Sequence, residues 1–157
     1  MRAKWILAAS MLSMVGAASA QGQELRVGFL ATLTGGGSIL GTEQLKGFRL
    51  GLAHEGWAKD GDRLGGIPMR LFIADDQRRP VIGLSQARRL IQTHDVQVFA
   101  GFTFSSVLMA VQKTIASANR VMISSLAAAS PMAGSRCTVF YTTTAAQTSQ
   151  WGETIGR

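Results

Sequence analysis

Cysteine and histidine, which supply many of the metal ligands in proteins, are scarce in this sequence. It contains one cysteine, Cys137, and two histidines, His54 and His94. The histidines are far apart and neither belongs to a metal-ligand spacing, so the sequence predicts no metal site. We expect Cys137 to be either an inert buried thiol or a residue whose partner lies outside these residues.

Acidic residues are also few, nine against 16 lysines and arginines, which gives a net charge of +7. The basic residues are scattered or share one solvated helix face, expected to hold Arg78, Arg79, Arg88 and Arg89. No aromatic residues alternate with them as a nucleic-acid surface would require. A hydrophobic content of 46% with 16% charged residues is typical of a globular chain with a core. We therefore predict about one domain and no nucleic-acid partner.

The first 20 residues have the pattern of a secretory signal peptide. Arg2 and Lys4 form a basic start, residues 5–15 form a short apolar run, and Ala18-Ser19-Ala20 is a small-x-small cleavage site. The run is shorter than the roughly 20 residues that a membrane span needs, and no lipoprotein cysteine stands at the cleavage point. We expect export, with the mature chain beginning at Gln21.

Apolar segments and helical periodicities alternate along the rest of the chain. The apolar runs predict strands at 25–30, 69–73, 96–100 and 121–124. A helix capped by Thr42, a helix over about 81–94 and a helix capped by Ser105 or Ser106 are predicted between them. This rhythm is typical of βαβ units and predicts a parallel sheet with right-handed crossovers. The helix residues expected to face the core are Leu45, Phe48 and Leu52, then Leu84, Ala87, Leu90 and Ile91, then Val107, Leu108, Val111 and Ile115.

Three loops follow predicted strand ends, at residues 31–41, 101–106 and 124–130, and all are rich in Gly, Ser, Thr and Ala. Ligands of parallel sheets bind beyond the carboxyl ends of the strands. Small side chains let a ligand approach the backbone, and free N–H groups at a helix start favour an anion. We interpret the loops as a site built from backbone amides and hydroxyls, without catalytic side chains or a cofactor.

Catalytic interpretations have less support. The glycine-rich residues 34–38 are not followed by the lysine of a phosphate-binding loop. Asp75 and Asp76 could be an acid/base pair, or they could accept backbone N–H groups at the turn before the helix near Pro80, which we favour. Ser105 and Ser106 lack the motif around a serine nucleophile.

Several short motifs, in their order and spacing, resemble the branched-chain amino-acid binding proteins, which are the substrate-binding subunits of ABC importers. The motifs are LRVGFL (25–30), LTG (33–35), Gly41, KGF (46–48), LGGIP (64–68), ADDQ (74–77), QARRLI (86–91), Gly101 with Ser105 and Ser106, ISS (123–125) and AAA (127–129).

The resemblance implies an α/β fold, a three-layer αβα parallel-sheet lobe of a type I periplasmic binding protein. Residues 21–144 would form this lobe, incomplete, and residues 145–157 the truncated start of a second lobe. Residues 140–144 would be the extended crossover between the lobes. With the second lobe missing, we expect the chain alone to be marginally stable and not to work as a receptor.

The resemblance also implies a non-enzymatic periplasmic receptor that delivers an amino acid or another small carboxylate to an ABC permease in the inner membrane. Ser105 or Ser106 would supply a hydroxyl. The full set of expected ligand-binding residues is Leu33, Thr34, Ser105, Ser106, Ala127, Ala128 and Ala129. Phe102 and Phe104 would contact an apolar ligand or pack at the strand end. A secreted α/β enzyme and a ligand-sensing domain of the same fold are the alternatives.

Overall fold

The computed structural model describes residues 24–146 and residue 150. The predicted signal peptide and most of residues 145–157 lie outside them. The elements are β1 (Leu25–Ala31), α1 (Ser38–His54), β2 (Arg63–Leu64), β3 (Ile67–Asp75), α2 (Pro80–His94), β4 (Val98–Gly101), α3 (Ser105–Ser117), β5 (Val121–Ser124), a 3-10 turn (Ser130–Ala133) and β6 (Tyr141–Thr143).

The strands form one six-stranded sheet in the order β2-β3-β1-β4-β5-β6. β1 lies between β3 and β4 and is parallel to both, so that Val27 is opposite Leu71 on one side and Val98 on the other. β5 and β6 continue the parallel arrangement, whereas the short β2 is antiparallel to β3. The chain first moves outward from β1 to β3 and then returns to β4. The border between β1 and β4 is therefore the point where the direction of winding reverses, and a crevice is expected there.

Helices cover both faces of the sheet and confirm the predicted three-layer αβα arrangement. Residues on consecutive positions of a strand point to opposite faces, and both Phe29 and Leu30 are fully buried. Phe29 packs in a cluster with Leu52 of α1, and Leu30 packs in another with residues of α2 and α3. The two faces of β1 thus contribute to separate apolar clusters.

The predicted helix faces are confirmed. All four core residues of α3 (Val107, Leu108, Val111, Ile115) are fully buried. Those of α1 and α2 are buried or pack against the two clusters. None of the helices in residues 24–146 is long and apolar enough to cross a membrane.

The predicted helix starts are wrong for α1 and α3. α1 begins at Ser38, one turn before the predicted cap Thr42, because Gly37 adopts φ 90° and turns the chain into the helix. α3 begins at Ser105 with Phe104 at its N-cap position, and no side chain caps it. Neither Ser105 nor Ser106 is therefore the cap.

Two further features differ from the sequence predictions. The polar loop before β3 contains the short strand β2. Cys137 is exposed, so of its two interpretations the inert buried thiol is wrong. Tyr141–Thr143, expected in the extended crossover between lobes, forms a sixth strand paired with β5, and its neighbour Phe140 packs against the core.

The close fit of α1 to the end of β1 gives a test of this packing. A β-carbon added at Gly41 would overlap the carbonyl oxygen of Thr32, whereas one added at Gly51 meets nothing within 4 Å. Gly41→Ala should therefore lower the free energy of unfolding by about 1–3 kcal/mol through overpacking. Gly51→Ala should raise it by up to about 1 kcal/mol, since alanine favours helix. Urea unfolding of both variants measures these free energies. Changes of the same sign and size in the two variants would contradict the close packing of Gly41 against Thr32.

Candidate ligand site at the carboxyl edge of the sheet

The parallel strands β1, β3, β4 and β5 all end at one edge of the sheet. The loops that follow them, residues 32–37, 76–79, 102–104 and 125–129, therefore lie next to one another. Three of these loops are those predicted from the sequence to form the site. The fourth, after β3, carries no predicted ligand contact, yet it holds the others in place.

Asp75, at the end of β3, fixes the loop after β1. Its Oδ1 accepts the N–H groups of Leu33 at 2.8 Å, Gln77 at 2.9 Å and Thr34 at 3.3 Å, and its Oδ2 accepts the Thr34 hydroxyl. Burial would raise the pKa of Asp75, but these hydrogen bonds together lower it below its ordinary value. The carboxylate is therefore an acceptor for backbone N–H groups, as predicted.

Asp76 has a similar bracing role, but its side chain lies inside the protein. Its Oδ1 accepts the Thr32 hydroxyl and the N–H of Arg78 at 2.8 Å. Its Oδ2 is buried and has no hydrogen-bond partner within the described residues. Burial raises the pKa of Asp76, and the negative charge of Asp75 adds to the effect. Both carboxylates thus connect the turn after β3 to the turn after β1.

Phe104 is held between two of these loops. The carbon at the centre of the Arg78 guanidinium lies 4.3 Å from the centroid of the Phe104 ring, a cation–π contact. The ring also contacts the loop after β1, since a β-carbon added at Gly37 would lie 2.6 Å from the ring atom Cζ. Phe102, in contrast, is fully buried in the core. Of the two aromatic residues, Phe102 is therefore a packing residue, and Phe104 remains half-exposed at the edge.

The structure brings the predicted serines and alanines to the same edge. Ser105 is half-buried and Ser106 exposed in the first turn of α3, where the N–H groups of any helix lack acceptors within the helix. Ala127, Ala128 and Ala129 are nearly fully buried. Their side chains therefore present little surface to a ligand.

The β5 loop is tied to the β4 loop by its backbone. The N–H of Ala127 donates to the Phe102 carbonyl at 2.9 Å, and the Ser124 hydroxyl donates to the Ala127 carbonyl. The predicted residues Leu33 and Thr34, half-buried and exposed respectively, are connected to the site through Asp75. The predicted set thus occupies one continuous edge.

Sequence reasoning missed two residues at this edge, Gln44 and Arg78. Gln44 lies on α1 and hydrogen-bonds to the loops after β4 and β5. Nothing in the sequence around Gln44 indicates that it binds these loops. Its spacing of three from Gly41 shows only that the two residues share a helix face. Arg78 was assigned to a solvated basic helix face, but it precedes α2 and packs on Phe104.

An open cavity of about 490 Å³ adjoins the edge between α1 and the β5 loop, lined by residues that include Leu40, Phe48 and Leu126. A second cavity of about 560 Å³ surrounds Trp57 and Lys59 near the other end of α1. Of these two, the first adjoins the loops described above. Within residues 24–146, no three His, Cys, Asp or Glu side chains lie close enough to hold a metal ion.

Comparisons with known proteins give the family context of this geometry. The model of a family described as "Periplasmic binding protein" matches residues 24–157. A comparison with curated proteins finds no match.

Solved structures share the fold of the chain. An ABC transporter substrate-binding protein from Sphaerobacter thermophilus is 26% identical, with a TM-score of 0.69 over 77% of this chain and 32% of that one. The branched-chain amino acid transporter substrate binding protein of Streptococcus pneumoniae, in complex with isoleucine, is 18% identical, with a TM-score of 0.69 over 80% and 34%. An ABC transporter solute-binding protein from R. palustris, in complex with 4-hydroxybenzoate, is 23% identical, with a TM-score of 0.69 over 80% and 32%. The chain thus spans about a third of the length of these structures.

The hydrogen bonds of Asp75 predict a pH-dependent contribution to stability. Asp75→Asn removes the charge that four donors stabilise, so it should lower the free energy of unfolding at pH 7 by about 1–3 kcal/mol. The pKa of Asp75 is lowered in the folded state. The difference in unfolding free energy between variant and wild type should therefore have its full size at pH values well above the ordinary pKa of 3.8. It should shrink as the pH falls through the lowered folded pKa.

Urea unfolding of the wild type and the variant at pH 7 and at about pH 3 measures the effect. Glu43→Gln, at an exposed carboxylate on α1, is the control. A difference that is the same at both pH values would contradict the role assigned to Asp75.

Proposed function

The chain belongs to the periplasmic binding protein family, and on that premise we propose that it is a solute-binding receptor of an ABC importer. It binds an amino acid or another small carboxylate at the carboxyl edge of its sheet and is not an enzyme. The observation that carries the proposal is the composition of this edge, where hydroxyls and backbone groups surround the border between β1 and β4.

The electrostatics of the edge favour an anionic ligand. At the start of α3 the N–H groups of Ser105 and Ser106 have no acceptor within the helix, and the helix end carries a partial positive charge. The hydroxyls of the two serines add donors there. The guanidinium of Arg78 lies nearby, over Phe104. The carboxylate of Asp75 and the Oδ1 of Asp76 are already engaged by donors from the loops. A ligand carboxylate therefore meets donors and positive charge at this edge.

The ligand class is supported by two of the structures with the same fold. One contains isoleucine and the other 4-hydroxybenzoate, and both compounds carry a carboxylate. In our proposal the carboxylate is held by the first turn of α3, with the backbone of Ala127–Ala129 and the residues Leu33 and Thr34 completing the contacts. The remainder of the ligand determines which compound is preferred.

We also propose that the protein is exported and transfers its ligand to a permease in the inner membrane. The family and the N-terminal pattern of residues 1–20 support this placement. The receptor binds its solute and later releases it chemically unchanged. Such a site needs hydrogen-bond donors and a complementary shape, but no reactive side chain.

A thermal-shift screen of the complete gene product identifies the ligand class. The panel consists of the amino acids and a set of small aromatic and aliphatic acids. A ligand that binds only the folded state raises the melting temperature. We expect a shift with members of one of these classes. A panel without any shift would contradict the proposed function.

Replacement of both serines tests the site itself. Ser105→Ala combined with Ser106→Ala should weaken binding of the ligand found in the screen by about 1–3 kcal/mol, because a hydrogen bond to a charged group is lost. Neither hydroxyl caps α3, so stability should change little. The control is Ser117→Ala, at the other end of the same helix. Unchanged affinity by calorimetry would place the site on other loops.

A further inference from the structure

We propose that Gln44 is a positioning residue of this site, which fixes the ends of β1, β4 and β5 in the arrangement that receives the ligand. The effect on the ligand rests on the proposed function, whereas the effect on the loops does not. Gln44 is half-buried on α1 and was not among the residues predicted to contact a ligand.

The side-chain amide of Gln44 joins three loops. Its Nε2 donates to the Gly101 carbonyl at 2.9 Å and to the Ser125 hydroxyl at 2.8 Å, and its Oε1 accepts the Thr103 hydroxyl at 3.0 Å. The same Thr103 oxygen accepts the N–H of Thr32 at 3.1 Å. One amide therefore links the ends of β4 and β5 directly and the end of β1 through a single hydroxyl.

The turn that Gln44 holds has an unusual backbone. Gly101 has φ 104° and Phe102, a bulky residue, has φ 61°. A non-glycine residue in this region costs energy and persists only where its surroundings hold it. The Phe102 N–H donates to the Leu30 carbonyl at 2.7 Å, and its carbonyl accepts the Ala127 N–H at 2.9 Å. Gln44 adds the bond to the Gly101 carbonyl, at the start of the strained turn.

The strained turn determines where α3 begins. β4 ends at Gly101 and α3 starts at Ser105, so only residues 102–104 separate them. A change at Gly101 or Phe102 therefore moves the first turn of α3, which carries both predicted ligand-binding serines. The bond to Ser125 fixes the start of the β5 loop in the same way.

Gln44 reaches these loops because α1 approaches them closely at Gly41. That residue lies one turn earlier on the same helix face, and any side chain there would overlap the Thr32 carbonyl. The approach brings the Gln44 amide within hydrogen-bond distance of Gly101 and Thr103. The close contact and the hydrogen bonds thus act on the same loops.

A site that is correctly arranged for only a fraction of the time binds its ligand more weakly by the same fraction. If loss of Gln44 reduces the arranged population to about a tenth, the dissociation constant rises about tenfold. Elements away from the edge, such as β3 and α2, make no bond to Gln44 among the described residues and should keep their stability.

The test compares Gln44→Met, which keeps the length of the side chain without its hydrogen bonds, with the control Glu43→Gln on the same helix. Thr103→Val and the double variant with Gln44→Met complete a double-mutant cycle. Hydrogen exchange of the complete gene product, followed by mass spectrometry, reports on residues 101–106 and 124–129 and separately on β3 and α2. Calorimetry measures binding of isoleucine and of 4-hydroxybenzoate.

We expect Gln44→Met to exchange at least about tenfold faster at residues 101–106 and 124–129, with β3 and α2 unchanged, and to bind ligand about tenfold more weakly. Thr103→Val should have the same effects on exchange and affinity. The double variant should exchange only slightly faster, and bind only slightly more weakly, than either single variant. Glu43→Gln should resemble wild type. Uniformly faster exchange, unchanged exchange at the loops, or unchanged affinity despite faster exchange would each overturn the proposal. If wild type binds neither compound, isoleucine and 4-hydroxybenzoate are not its ligands, and the exchange data alone decide whether Gln44 fixes the loops.

Discussion

The pairing of β1 with β3 on one side and β4 on the other is the constraint on which the rest of the structure depends. It buries both faces of β1 and places the carboxyl ends of the parallel strands at a single edge. The same pairing requires α1 to lie on one face and α2 and α3 on the other. The loops after β1 and β4 therefore face each other at the point where the winding reverses, which is where parallel sheets bind ligands.

Two polar networks hold this edge, one on each side of β1. Toward β3, the carboxylates of Asp75 and Asp76 bind the backbone and hydroxyls of residues 32–34. Toward β4, Gln44 and Thr103 bind Gly101 and Ser125. Except for Oδ2 of Asp76, these polar groups are engaged with the protein itself. On the proposed function, the first turn of α3 and its serines are the groups that receive the ligand, and they favour a small anion.

Much of this fold could be predicted from the sequence, because periodicity identifies a strand or helix that has one consistent buried face. The four core residues of α3 were predicted for that reason. The starts of α1 and α3 could not be predicted, because they depend on contacts between distant loops. Gly37 begins α1 by adopting a positive φ against the Phe104 ring. Likewise, β6 is too short to show a strand periodicity in the sequence. It forms because the free edge of β5 pairs with it.

The loops that form the site could be predicted, but the hydrogen bonds that hold these loops together could not. Small residues after strands are visible in the sequence, and the carboxylates of Asp75 and Asp76 stand in a recognisable turn. The contribution of Gln44 depends on how closely α1 approaches Thr32, which only the packing around Gly41 reveals.

The central claim is that the ligand binds where the loops after β1, β4 and β5 meet. Amide-resonance mapping of the isotope-labelled complete protein, titrated with the ligand identified by screening, tests this most directly. The account predicts that the largest shifts fall on residues 33–35, 102–106 and 125–129. Largest shifts around Trp57 and Lys59, or between α2 and α3, with these loops unaffected, would contradict it.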